Sequence, residues 1–372
     1  MSTMSIGLSM FGAMLVLMAV RVPIAISMFV PGAVGYMALA GWLPLLSHLK
    51  GAVYSRVSIY DLSVIPLFML MGAFAVHGGL SKALFDFANA LLGRFKGGMA
   101  MAGVLACAAF GSISGSTVAT TATIAQVAYP EMRRINYSGR LATAALATGG
   151  TMGVLLPPSV TLMVYAILTE QNITKMFLAA YIPALLAAVG YLIAIAVIVR
   201  IHPDQAPQAK AATASELMTT ALNVWPIAAI FLVVFGGIYG GVFTATEGAA
   251  IGNVLTFAIT LLRREMTFDK LVASIRTTAQ TSGMIFLIFI GADMINASLA
   301  LSQLPAQLAD MVGHLQISPL VVMAGIMIFY IILGCVMDEM SMILLTVPTL
   351  FPVILGMDFF GLNPSDKALW FG

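Results

Sequence analysis

The chain is 372 residues long, 60% of them hydrophobic and 9% charged, with mean hydropathy +1.02 and formal net charge +2. A water-soluble domain carries roughly 25% charged residues, so this composition excludes a soluble enzyme, a nucleic-acid binder and a disordered regulator. Long apolar runs recur from end to end, the pattern of an all-α polytopic membrane protein.

In chain order, runs long enough to span a bilayer fall near 4–20, 22–46, 62–78, 140–168, 176–200, 221–242, 244–262 and 281–297. The first is read as a retained span and not a cleaved signal, because its nearest basic residue, Arg21, follows the run. Stretches 98–129 and 317–356 are apolar but interrupted midway by small and polar residues. Pieces 48–60, 80–94, 264–280 and 299–314 have helical period and mixed polarity, as interfacial helices do.

A polar, Pro- and Ala-rich segment over 201–216 divides the chain, giving a first repeat over 1–200, a linker over 201–220 and a second repeat over 221–372. The halves match in order. Phe68-Met-Leu-Met-Gly72-Ala73 resembles Phe286-Leu-Ile-Phe-Ile-Gly291-Ala292 at an offset of about 219 residues. An amphipathic piece follows each, then an interrupted apolar stretch carrying Gly111–Gly115 in the first half and Gly334–Asp338 in the second. The basic residues set the orientation. With the N-terminus outside and 98–129 folded as a re-entrant hairpin, Arg21, Lys82, Arg94, Lys96, Arg133, Arg134, Arg140, Arg200, Lys210, Arg263, Arg264, Lys270 and Arg276 face the cytoplasm. Only Lys50, Arg56, Lys175 and Lys367 lie outside, and thirteen against four satisfies the positive-inside rule. An odd number of crossings in the first half inverts the second, which predicts two opposed hairpins and alternating access. The partner of 149–159 in the second repeat would fall beyond residue 372, so the chain reads as one repeat and most of another.

Two segments carry the chemistry. Gly111-Ser-Ile-Ser-Gly-Ser-Thr-Val-Ala-Thr-Thr-Ala-Thr123 places glycines and hydroxyls inside an apolar stretch. Glycine permits a tight hairpin tip. Carbonyls and hydroxyls freed there are hard ligands for a small cation, and helix N-terminal amides suit a carboxylate. The competing reading is serine and threonine packing between helices. Gly149-Gly-Thr-Met-Gly-Val-Leu-Leu-Pro-Pro-Ser-Val-Thr161 predicts a span unwound near its middle, because Pro157 and Pro158 supply no amide donor. The alternative there is a packing kink. Among intramembrane carboxylates, Asp338 at the second hairpin tip is a candidate cation ligand, while Glu247 at a span start is either functional or a first-turn residue. Asp293 is a buried scaffold partner or interfacial.

Other signals are negative. His48, His77, His202 and His314 show no metal spacing, Cys107 and Cys335 form no disulfide framework, and the 26 methionines are spread evenly as packing residues. There is neither a phosphate-binding loop nor a nucleophile–base constellation, so the chain does not read as an enzyme.

Five ordered motifs carry a family resemblance: Gly111–Ile124, Tyr129-Pro-Glu-Met-Arg133, Gly149–Ser159, Gly241-Val-Phe-Thr-Ala-Thr-Glu247, and Met337-Asp338 with Leu345-Thr-Val-Pro348. Together they resemble the large permease subunit, DctM-like, of tripartite ATP-independent periplasmic (TRAP) transporters. That resemblance implies an elevator fold with re-entrant hairpins in the inner membrane. It also implies sodium as coupling ion, an organic anion such as a C4-dicarboxylate as substrate, a small four-helix membrane subunit and a periplasmic solute-binding protein. Carried over by position, it assigns sodium to Ser112, Ser114, Gly115, Gly150, Val154 and Pro157, with Asp338 in a second sodium site. Substrate contacts fall on Ser116, Thr117, Thr151, Pro158, Ser159 and Glu247. Lipid is the expected surround and nucleic acid is not a partner. The resemblance further implies continuation past Gly372 into a second broken helix. Two alternatives remain open: a stand-alone sodium:divalent-anion symporter of the same architecture, and a non-transporting remnant.

Overall fold

The computed structural model describes residues 3–207, 212–307, 318–335 and 337–372, without the side chains of Arg56 and Val57. Lys210, His314 and the end of the 299–314 piece lie outside the described residues. No strand occurs among the described residues, and the chain is an all-α polytopic membrane protein.

The helices are α1 (Thr3–Ala19), α2 (Ile24–Ala40), α3 (Trp42–Val57), α4 (Val64–His77), α5 (Leu80–Leu92), α6 (Gly98–Ser114), α7 (Thr117–Arg134) and α8 (Gly139–Leu155). They continue as α9 (Val160–Leu168), α10 (Ile173–Ile201), α11 (Ala214–Tyr239), α12 (Ala245–Leu262), α13 (Phe268–Leu301), α14 (Pro319–Gly334), α15 (Glu339–Gly356) and α16 (Pro364–Phe371). Three expectations need correction. The run 22–46 is not one span: Gly41, at φ 92°, ends α2, and α3 absorbs most of the piece expected at 48–60. Pieces 264–280 and 281–297 form the single 34-residue α13, because polarity changes there without a proline to stop the helix. At 1.5 Å per residue α13 is about 50 Å long and overshoots a hydrocarbon core of about 30 Å. Finally, α11 begins at Ala214, inside the expected linker, where Thr213 and Glu216 form a reciprocal capping box.

Packing divides the chain into two compact units. One holds Met1–Leu62, Val164–Asn172 and Gln280–Gly372; the other holds Ser63–Met163 and Ile173–Ala279. Helices α9 and α13 pass from one to the other. In the first unit, Ser298 Oγ donates to the Gly32 carbonyl at 2.5 Å, and a side chain at Gly32 would meet the Ile295 amide nitrogen at 2.7 Å. Small residues thus bring α2 and α13 backbone to backbone. His48 Nε2 lies 3.3 Å from Asp293 Oδ2, and the Asp293 side chain is mostly buried. In the second unit, Asn253 Nδ2 donates to the Leu67 carbonyl at 2.7 Å and ties α12 to α4.

Candidate functional site

The second unit contains the first interrupted stretch, and it is a helical hairpin. Helix α6 stops because Gly115 adopts the left-handed conformation, φ 61° and ψ 13°, with its amide donating to the Gly111 carbonyl at 2.8 Å. Ser116 is extended, at φ −134° and ψ 127°, and caps α7 by accepting the Ala119 amide at 3.4 Å. The buried hydroxyls of Ser114 and Thr120 bond across the turn at 2.6 Å. Ser112 donates to the Ala109 carbonyl at 2.8 Å, so its oxygen keeps lone pairs.

Helix α8 unwinds beside this tip. The Leu156 amide makes the last turn to the Met152 carbonyl at 3.0 Å. The next two helical donors would be residues 157 and 158, both proline, so the carbonyls of Gly153 and Val154 have no i+4 amide. Ser159, fully buried, restarts the helix by accepting the Leu162 amide at 3.2 Å. Tip and break touch. A side-chain carbon on Gly115 would stand 3.1 Å from the Pro158 carbonyl oxygen, and one on Gly153 would stand 3.0 Å from the Ser116 carbonyl oxygen. A side-chain carbon on Gly111 would stand 2.9 Å from the Gly153 nitrogen and closer still to its Cα. A methyl group at Gly111 would collide with the Gly153 backbone, and one at Gly115 or Gly153 would push the facing carbonyl away by a few tenths of an ångström.

The geometry therefore brings Gly111, Gly115, Ser116, Thr120 and Thr121 of the hairpin against Gly150, Gly153, Pro158 and Val160 of α8 and its break, while Ser112, Ser114 and Thr117 lie along the hairpin and Val154, Pro157 and Ser159 along the break. Thr151 points elsewhere: its hydroxyl donates to the Thr148 carbonyl at 2.7 Å and lies 3.2 Å from the Tyr191 hydroxyl on α10. Glu247 stands in the first turn of α12. Its Oε2 accepts the Thr244 amide at 2.8 Å while Thr244 Oγ1 accepts the Glu247 amide at 3.3 Å, a closed capping box on α12.

The first unit holds the second interrupted stretch as α14 and α15; Val336, between them in sequence, lies outside the described residues. Asp338 caps α15 by accepting the Met340 amide at 3.2 Å and is exposed. One turn on, the buried Ser341 hydroxyl has no partner. Asn296 on α13 donates to the Leu344 carbonyl at 3.0 Å while its buried Oδ1 stays unpaired. These two oxygens were not singled out from sequence, nor were Thr120 and Thr121, the second of which faces Gly150 directly. For the threonines a signal existed, since both lie inside the Gly111–Thr123 run.

The donor set of both tips is hard and mostly neutral: carbonyls, hydroxyls and one carboxylate. Among the described residues no three His, Cys, Asp or Glu side chains gather, so the set fits an alkali cation better than a transition metal. The first-turn amides of α7, beyond those that Ser116 caps, suit a carboxylate.

Residues 11–365 match the model of the family described as the tripartite ATP-independent periplasmic transporter, DctM component. The C4-dicarboxylate TRAP transporter large permease protein DctM of Pseudomonas aeruginosa is 31% identical, over 83% of this chain and 72% of its own. The 2,3-diketo-L-gulonate TRAP transporter large permease YiaN of Escherichia coli is 30% identical, over 92% of this chain and 80% of its own. The ectoine/5-hydroxyectoine TRAP transporter large permease UehC of Ruegeria pomeroyi is 26% identical, over 96% and 82%. All three are named as transporter permeases, none as an enzyme. This chain belongs to the DctM component family and is the large permease subunit of a TRAP transporter, a multi-pass protein of the inner membrane.

Proposed function

We infer that this subunit couples inward sodium movement to uptake of a small organic anion, with the hairpin tips as the moving binding surface of an elevator. The observation that carries this reading is the contact between the Gly115–Ser116 tip and the Pro157–Pro158 break, where two carbonyls lack helical donors. Sodium, as a transported co-substrate, suits the Gly153 and Val154 carbonyls with the Ser112 and Ser114 hydroxyls. Gly115, Gly150 and Pro157 contribute by shaping the approach. A second ion suits Asp338 with the unpaired oxygens of Asn296 and Ser341. The two sequence halves, 1–200 and 221–372, are read as inverted repeats.

The anion would meet Ser116, Thr117, Pro158 and Ser159, with the first-turn amides of α7 facing its carboxylate. Cations bound first lower the cost of placing that charge within the bilayer. Thr151 and Glu247 act on this reading through helix packing and capping. Tripartite in the family's description supports two partners, a small membrane subunit and a periplasmic binding protein, over the stand-alone symporter. The relatives' names span dicarboxylate, diketogulonate and ectoine, so the substrate here is a small solute chosen largely by the binding protein.

The test is uptake by proteoliposomes holding the chain with its small subunit, supplied with the binding protein and a labelled panel of small carboxylates. An inward sodium gradient should drive accumulation that potassium does not support. Equal uptake in potassium would overturn the sodium coupling.

A further inference from the structure

A basic feature lies away from the hairpins, at the end of α10 that the positive-inside rule places in the cytoplasm. There the turn between α5 and α6 lies directly on α10. Gly97 is left-handed, at φ 79°, and a side-chain carbon on it would stand 2.9 Å from Val199 Cγ2 and 3.2 Å from Ile195 Cγ2. This approach carries the neighbouring Lys96 to the same place as Arg200, in the last turn of α10. Lys96, Ala196, Val199, Arg200 and Pro203 line a pocket of about 330 Å³. Two cations from segments 104 residues apart converge, and no carboxylate is among the lining residues. Asp204 follows Pro203 in the Pro203–Gln205 turn but does not line the pocket. Like charges held together repel unless an anion sits between them.

The walls indicate which anion. Of the seven long apolar helices among the described residues, α10 is the least covered, with 17% of its most apolar window buried. Ile193, Val197 and Ile201 are 58%, 49% and 66% exposed, and they flank Ala196 and Arg200 on one stripe at helical spacing. An apolar stripe thus runs into a two-cation pocket at the level of the headgroups. The inner leaflet is the anionic one, and basic pockets at its surface bind phosphate headgroups.

We propose that Lys96 and Arg200 form a site for one anionic phospholipid of the inner leaflet, with its phosphate between the two cations and its acyl chains along Ile193 and Val197. The lipid fastens the α5–α6 turn to α10.

The experiment is a titration of the delipidated full-length chain with phosphatidylglycerol or phosphatidylcholine, followed by native mass spectrometry. Phosphatidylglycerol should bind the tighter. Lys96→Gln with Arg200→Gln should weaken it roughly thirtyfold, about 2 kcal/mol. Lys96→Arg with Arg200→Lys should retain binding, and Lys50→Gln on α3 should leave it unchanged. Both substituted side chains are exposed, and an unchanged unfolding temperature without lipid checks that the fold is kept. Equal binding of the two lipids, or undiminished binding by the Gln double variant, would overturn the site. Displacement of phosphatidylglycerol by excess inorganic phosphate would overturn the lipid assignment in favour of a soluble anion.

Discussion

Replacing Gly115 by alanine separates the role of the hairpin tip from the general cost of a strained turn. Gly115 and Gly79 share nearly the same backbone, φ 61° and ψ 13° against φ 67° and ψ 14°, and both lie in the same compact unit. Alanine at either site costs about 1 kcal/mol for the left-handed conformation. Nothing lies within 4 Å of a side chain at Gly79, whereas one at Gly115 meets the Pro158 oxygen at 3.1 Å and Val160 Cγ2 at 3.4 Å. Relieving that contact moves the tip off the break by a few tenths of an ångström and adds about 1–3 kcal/mol of overpacking. Gly79→Ala should therefore lose about 1 kcal/mol and Gly115→Ala about 2–4 kcal/mol. If sodium binds between tip and break, saturating sodium at 100 times its dissociation constant stabilises the native chain by about 2.7 kcal/mol. The assay is unfolding temperature in sodium chloride against potassium chloride at equal ionic strength. Gly79→Ala should keep the full sodium increment and Gly115→Ala should lose most of it. Equal increments in the two variants would refute the argument that the contact forms the site.

Further outcomes follow from the same geometry. Ser116→Ala removes a long capping bond, so its stability loss should lie near about 0.5 kcal/mol by thermal unfolding, while sodium-driven uptake should fall much further. Asp338→Asn keeps a good cap and removes the charge, so stability should hold while the sodium concentration for half-maximal uptake rises; an unchanged value would remove Asp338 from the second ion site. Glu247→Gln preserves the capping box and should transport normally, whereas Glu247→Ala should lower the unfolding temperature by loss of about 1 kcal/mol. Abolished transport in Glu247→Gln with normal stability would return Glu247 to the transport path.

What was legible in the sequence divides along physical lines. The breaks at Gly115 and at Pro157–Pro158 could be read because glycine and proline change what the backbone can do where they stand. The end of α2 at Gly41 escaped, since the apolar run continues through it and hydropathy is blind to one left-handed residue. Continuity of α13 escaped for the opposite reason: Thr277 to Ser282 lower hydropathy, yet all are residues a helix accepts. The Thr244-Ala-Thr-Glu247 signature of a capping box was present and competed with a functional reading of the same carboxylate. Partnerships across long separations were not legible. His48 with Asp293, Asn253 with Leu67, and the orphaned oxygens of Asn296 and Ser341 depend on tertiary placement.

The most direct test concerns the carbonyls of Gly153 and Val154. A Pro157→Ala, Pro158→Ala double variant restores an amide at each i+4 position, so α8 can claim both oxygens for its own helix. Sodium-dependent stabilisation of the purified chain is measured for this variant and for the native sequence, with potassium as reference. The account predicts a saturable rise in unfolding temperature for the native chain and a largely abolished one for the variant. The same sodium response in both would contradict it.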